Sequence, residues 1–194
     1  MVFKVKVIKK MKLNIFEFLE CSLFSYIAVI KKSITGLIVK IAKEKLKQIL
    51  FFLKNNELCC FKMLIDIYAV DFLQKTKRFC LNYLLRSLKY NYFLTLQFSL
   101  NENSSVDSIT ILYKNGNWIE REVWDMNGIF FENHPDLRRI LTDYGFEGFP
   151  LRKDFPISGF KEVRYDDSQK RVISEQIELA QEFRLFNFES PWKK

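Results

Sequence analysis

Three groups of side chains could carry chemistry. Glu120, Glu122 and Asp125 place three carboxylates close together, with Arg121 between two of them. Paired carboxylates suit acid/base work or metal binding, and on a helix positions 122 and 125 are neighbours. His134 is the only histidine of the 194 residues, and imidazole is the side chain best suited to moving a proton near neutral pH. Cys59 and Cys60 are adjacent thiols that could bind a soft metal.

Each group also has a plainer use. One histidine excludes multi-histidine metal centres and any Cys-His or Ser-His chemistry that bypasses His134. No nucleophile or second histidine lies close to it in sequence. Standing before Pro135, it reads as a helix cap, since acid–base catalysis needs a placed partner. Arg138, Arg139, Arg152 and Lys153 follow the carboxylates, so ion pairing inside the chain or across an interface is the favoured use. Two adjacent thiols supply too few ligands for structural zinc or a cluster, and the chain has no C-x-x-C. The four cysteines read as small hydrophobic residues in a reducing compartment.

The elements that must position these residues follow from periodicity. Residues 13–30 are the most apolar stretch, broken by Glu17 and Glu20 and too short in uncharged length to span a membrane. They suit a helix packed on a partner or lying at an interface. Residues 34–54 read as an amphipathic helix with lysines off its apolar face. Phe61–Asp66 reads as a buried strand. Arg78–Arg86 and Tyr92–Leu100 alternate with period two and form an antiparallel pair.

Ser104-x-x-Asp107 resembles a capping box before a short helix whose inward residues are Val106, Ile109 and Leu112 or Tyr113. Asn117-x-x-Glu120 resembles another, so a helix runs Trp118–Asn127 and stops at Gly128. Ile119, Val123 and Met126 share its inner face, with Glu120, Glu122 and Asp125 largely off it. Pro135 suits the first position of a further short helix, with Asp136 at its positive end. Residues 142–160 form a loop punctuated by glycine and proline, and a hairpin pairs Lys161–Tyr165 with Arg171–Ser174. Phe183, Phe186, Phe188 and Trp192 make an aromatic tail that needs a surface to cover it.

The formal net charge is +8, and it sits unevenly. Residues 1–60 hold twelve lysines against four glutamates, whereas residues 61–194 are balanced at 19 basic and 19 acidic side chains. A nucleic-acid-binding core would keep a basic face on the folded part, so that function would rest on the lysine-rich N-terminus. That extension could instead meet a membrane surface. Twenty Phe against 6 Gly and 4 Pro suggest an AT-rich genome, as in an organelle, where lysine stands wherever charge is tolerated. A chain made inside an organelle needs no import signal, and the N-terminus lacks arginine and a signal-peptide plan.

The run Glu120-Arg121-Glu122-Val123-Trp124-Asp125-Met126-x-Gly128-Ile129-x-Phe131-x-x-His134-Pro135-Asp136-Leu137-Arg138-Arg139-Ile140-Leu141 carries a resemblance. It is similar to the thirty-kilodalton subunit family of respiratory complex I, the NADH dehydrogenase of the respiratory chain, whose members are called subunit nine when mitochondrially encoded. Pro150-Leu151-Arg152-Lys153-Asp154-Phe155-Pro156 resembles the family's second signature. Glu162–Tyr165, Gln181–Arg184 and Glu189–Trp192 fit its tail, so the resemblance covers roughly residues 56–194. Phe149 stands where the family commonly has His, Phe146 where Trp is usual, and Asn127 where an aromatic precedes the glycine.

The resemblance implies an α+β domain on the matrix side of the mitochondrial inner membrane, in the peripheral arm. Its implied partners are the forty-nine-kilodalton and neighbouring iron–sulfur subunits. It implies no cofactor, catalytic residue or metal ligand in this chain, while FMN, iron–sulfur clusters and ubiquinone belong to the whole complex. The expected division is a lysine-rich, largely helical extension at 1–55, an α+β domain at 56–160, and a hairpin with a partner-binding tail at 161–194.

Overall fold

The computed structural model describes residues 18, 19, 21, 22, 27–33, 36–184, 186, 188, 190 and 192. The chain divides into two compact units, Met1–Asp154 and Phe155–Lys194. The first is built on a five-stranded sheet of β1 (Ile27–Ser33), β2 (Gly36–Ile41), β3 (Met63–Asp71), β4 (Phe79–Ser87) and β5 (Tyr92–Leu100), in the order β1-β2-β5-β4-β3. All neighbours are antiparallel except β2 and β5, which run parallel through Leu37–Lys40 and Leu94–Gln97. Helices α1 (Leu46–Asn55) and α2 (Gly116–Asn127) complete an α+β fold, as expected.

β5 obeys its alternation, whereas β4 buries both faces over Phe79–Tyr83. Phe79, Leu81, Tyr83 and Leu85 of β4 are fully buried, as are Leu94, Leu96, Phe98 and Leu100 of β5 to within a few per cent. On α1, Leu46, Ile49, Leu50 and Leu53 form one buried stripe at helical spacing and join the same core. Each such side chain contributes roughly 1.5–3 kcal/mol by leaving water.

Several local expectations are revised. Residues 36–41 form a strand, not the first half of a helix. Val39 and Ile41 are buried while Lys40 points out, and β-branched residues suit that pleat. The apolar positions 34, 37, 38 and 41 fit a helical stripe equally well, so pairing with β5 decides the matter. The N-terminal region is therefore partly sheet, and the residues on both sides of 55 belong to the first unit. Residues 18–19 pack on the same body, with Phe18 stacked on Phe52 of α1 and Leu19 buried. Most of the 13–30 stretch lies outside the described residues. Among those described, no helix is long and apolar enough to cross a membrane.

The capping box at Ser104 does not form. Val106–Asp107 is instead a short strand, β6, parallel to β7 (Phe131–Glu132), followed by one turn closed from Leu112 and Tyr113 to the Ile109 carbonyl. Val106, Ile109 and Tyr113 are nonetheless buried, because the inward face survives the change of backbone. No helix starts at Pro135. Asn133 takes a left-handed φ of 59°, and the amides of 140–142 turn to a side chain rather than to one another.

The second unit carries the hairpin β8 (Lys161–Asp166) and β9 (Arg171–Gln176), slightly longer than expected, with Arg164 and Glu175 paired across it at 2.7 and 2.9 Å.

Gly128 closes α2 at φ 76°, its amide donating to the Trp124 carbonyl. A Cβ there would stand 2.5 Å from Arg152 Nη2 and 2.7 Å from the Phe149 ring. Gly128→Ala is expected to cost about 2 kcal/mol or more, read as a lower midpoint in denaturant unfolding of the full chain.

Candidate functional site

Helix α2 carries two fully buried carboxylates, Glu120 and Asp125, on sides expected to face water. Neither caps the helix. Each leaves α2 to bind an irregular segment.

Glu120 takes the Ile109 amide at 2.8 Å on Oε1 and the Ser108 hydroxyl at 2.7 Å on Oε2. His134 Nε2 stands 3.8 Å from the same Oε2 and 3.1 Å from the Asn117 carbonyl. The Asp136 amide donates to His134 Nδ1 at 3.1 Å, so these partners assign the ring proton to Nε2. His134 thus fastens the 133–136 turn to the start of α2. Burial pushes the Glu120 carboxyl up to about 7, against the opposing pull of Ile109, Ser108 and Lys47.

Asp125 is a hub. Oδ2 accepts the backbone amides of Ile140, Leu141 and Thr142 at 3.1, 2.8 and 3.0 Å, and Oδ1 accepts the Thr142 hydroxyl at 2.7 Å. Arg139 Nη1 reaches Oδ1 at 3.3 Å, while Nη2 donates to the Gly148 carbonyl at 2.9 Å. Burial works against the Asp125 charge, but the bonds from Leu141, Thr142 and Ile140 outweigh it and hold the carboxyl below its ordinary value. The Arg139 guanidinium lies over Trp124, Phe146 and Phe149 at 5.8, 5.8 and 5.1 Å. Phe146 and Phe149 supply two of these ring faces.

A third group centres on Arg78, at the edge of β4. Its Nε and Nη2 fork onto Asp71 at 2.8 and 2.9 Å, and it also reaches Asp154 at 2.8 Å and Glu102 at 3.1 Å. Asp71 accepts the Lys153 amide at 2.9 Å. Arg152 donates from Nε to the Asn127 carbonyl and from Nη1 to Glu102, both at 2.8 Å, and lies 4.5 Å from the Phe149 ring centre. The Leu151 amide bonds the Met126 carbonyl at 3.0 Å. Leu151–Asp154 is thereby clamped between the end of α2 and the sheet.

The signature residues therefore divide. Glu120, Asp125, Gly128, His134, Arg139, Arg152, Lys153 and Asp154 meet around α2 and the sheet end. Arg121 is buried, donating to the Arg138 carbonyl at 3.0 Å beneath Trp118. Glu122, Pro135, Asp136, Arg138 and Leu151 are exposed, with Arg138 and Asp136 paired at 3.0 Å on the surface, and Pro150 is half-buried. Sequence reasoning missed Asp71, Arg78, Glu102 and Ser108. Only Arg78, a charge opening an apolar strand, hinted at its role. Among the described residues no three His, Cys, Asp or Glu gather to hold a metal ion. Cys59 is buried, which pushes its thiol up to about 12, and Cys60 hydrogen-bonds the Glu57 carbonyl.

The arrangement fastens irregular segments to α2 and to the end of the sheet. Arg78→Ala would strand Asp71 and cost roughly 3–5 kcal/mol in denaturant unfolding, with Lys a partial substitute because it cannot fork. Asp71 is held below its ordinary value of 3.8, first by the Arg78 hydrogen bond, and Asp125 likewise lies below it. Their stabilisation is complete above 3.8 and drains away as pH falls through the lower folded values. Asp71→Asn and Asp125→Asn should each flatten that acid limb of the stability–pH curve.

Comparison with known proteins agrees with the geometry. The family described as "Respiratory-chain NADH dehydrogenase, 30 Kd subunit" matches residues 39–161, reaching back into β2. The chain is 56% identical over 142 residues to "NADH-ubiquinone oxidoreductase subunit 9" of Reclinomonas americana, covering 73% of this chain and 70% of that one. It is 49% identical to the protein of that name in Acanthamoeba castellanii, covering 84% and 88%. It is 55% identical to "NADH dehydrogenase [ubiquinone] iron-sulfur protein 3" of Beta trigyna, covering 78% and 79%. In fold it is similar to a chain of the membrane-bound sulfane sulfur reductase, an archaeal respiratory membrane complex, with a TM-score of 0.62 and 22% identity over 74% of this chain and 84% of that chain. A family match spanning both the sheet and the clamped signature segments makes this chain a member of the respiratory-chain NADH dehydrogenase 30 kDa subunit family.

Proposed function

We propose that this chain is a structural subunit of the peripheral arm of respiratory complex I, on the matrix side of the mitochondrial inner membrane, that positions neighbouring subunits for electron transfer. The observation that carries this reading is the use of most signature charges: Glu120, Asp125, Arg139, Arg152 and Asp154 are engaged by the chain's own irregular segments and by the end of the sheet. FMN, iron–sulfur clusters and ubiquinone belong, on this reading, to other subunits of the NADH:ubiquinone reductase. The forty-nine-kilodalton subunit and its iron–sulfur neighbours are the proposed partners.

The second unit supports the same reading. A two-stranded hairpin is marginal alone in water. Here Val163, Tyr165 and Val172 are exposed, and Phe183, Phe186, Phe188 and Trp192 follow them uncovered. Apolar surface of this kind marks a site where another chain packs. Residues 61–194 carry no net charge, which argues against the nucleic-acid reading.

The test is native electrophoresis of solubilised membranes with an antibody to this chain. It should migrate with NADH dehydrogenase activity, and the purified chain should lack NADH and quinone activity. Ending the chain after residue 176 should abolish co-migration while leaving the mutant chain detectable. Migration only as a free small protein, or salt-sensitive RNA binding by the purified chain, would overturn the proposal.

A further inference from the structure

Glu120 is not explained by fastening alone. A buried carboxyl that served only to hold Ile109 and Ser108 would be served as well by an amide, with less desolvation. Its surroundings differ from those of Asp125, which is ringed by donors that favour the charge. Glu120 has two direct donors, and one of them can reverse.

That donor is Ser108. Its Oγ lies 2.7 Å from Glu120 Oε2 and 3.0 Å from Thr110 Oγ1, and the second pair has no fixed donor. When Glu120 is ionised, the Ser108 hydroxyl donates to it. When Glu120 is protonated, the acid O–H donates to Ser108 Oγ, and Ser108 donates to Thr110. The Ile109 amide stays on Oε1 in both states. Both states are therefore hydrogen-bonded, with one proton added and no bond lost. Thr110 is half-buried, so the chain of hydroxyls leads from a sealed carboxyl toward solvent.

We propose that Glu120, Ser108 and Thr110 form a buried proton-binding site, in which Glu120 takes up one proton and the Ser108 hydroxyl turns from Glu120 to Thr110.

The other titratable groups around it are accounted for. His134 faces Oε2 from the 133–136 turn at 3.8 Å, with its Nδ1 occupied by the Asp136 amide. Lys47 faces it from α1 but is paired with Asp107 of β6 at 2.9 Å. Tyr83 of β4 is fully buried, interacts electrostatically with Glu120 and Asp107, and its hydroxyl has no hydrogen-bond partner among the described residues. With Lys47 engaged by Asp107, burial dominates and carries the Glu120 carboxyl up to about 7. The site thus changes charge near neutral pH, at the joint between α2, the 108–110 segment and the 133–136 turn. This goes beyond the structural role proposed above and does not depend on it.

Infrared difference titration of the full chain tests the site. The carboxylic-acid C=O band should disappear with a midpoint near 7 as pH rises, and Glu120→Gln should remove it. Thr110→Val removes the acceptor that Ser108 needs in the protonated state, so it should lower the midpoint by about one pH unit. The folded value lies above the ordinary 4.5, so wild-type stability should fall as pH rises from there to about 7, and Glu120→Gln should be flat. A purely structural carboxylate gives no band near pH 6, or a Glu120→Gln chain weakened equally at all pH, and either result overturns the proposal. A midpoint unmoved by Thr110→Val overturns the relay. If Glu120→Gln fails to fold, the wild-type and Thr110→Val titrations decide the question alone.

Discussion

A backbone segment without helix or strand can lie against a sheet only if something answers its amides. In this chain that demand falls on residues 133–154, which contain neither element. Asp125 meets the largest single share of it. One carboxyl group gathers three consecutive amides and a hydroxyl, and so does for 140–142 what a helix would do internally. Asp71 repeats the device at Lys153, and His134 repeats it at Asp136 through a ring nitrogen. The signature segments are legible as one object: a loop held by buried acids, with arginines neutralising the acids from behind.

That solution explains why arginine, not lysine, dominates here although lysine dominates elsewhere in the chain. Arg78 engages three carboxylates in different directions, and Arg139 bonds three oxygens edge-on while three rings lie over its faces. A planar fork has edges for donors and faces for aromatics, whereas an ammonium offers only a point charge. The same logic accounts for Phe146 and Phe149. What Arg139 requires at those positions is a ring face, and Phe provides it. At Asn127 the bond to Arg152 uses the backbone carbonyl, while the residue itself is buried.

Much of this was legible in the sequence, for definite reasons. Strands β4 and β5 alternate cleanly, and a period of two has no helical competitor there. Gly128 marked the end of α2 because a left-handed residue closes helices. The motif at Glu120–Leu141 was visible as a motif. What it does was not, because burial of Glu120 and Asp125 depends on segments far away in sequence. A helical wheel places both off the apolar stripe, correctly, yet other parts of the chain fold over that side. The strand at 36–41 escaped for the same reason: its partner, β5, lies beyond two intervening strands, and the local pattern fits either period.

The parallel junction of β2 with β5 also joins segments far apart in the chain. The meander β3–β4–β5 closes through short links, whereas β2 must wait until residues 94–97 exist to receive it. Closing the longer loop first has no contact to reward it. Without β2, the meander would present the β5 edge as a row of unpaired amides on an apolar strand, a template for another extended chain. The strand that finally seals it belongs to the lysine-rich third, and Lys31 and Lys40 on the capping hairpin are exposed. In the finished sheet β1 is the outer strand, and the exposed Lys31 on it is the kind of edge charge that discourages pairing with a second chain.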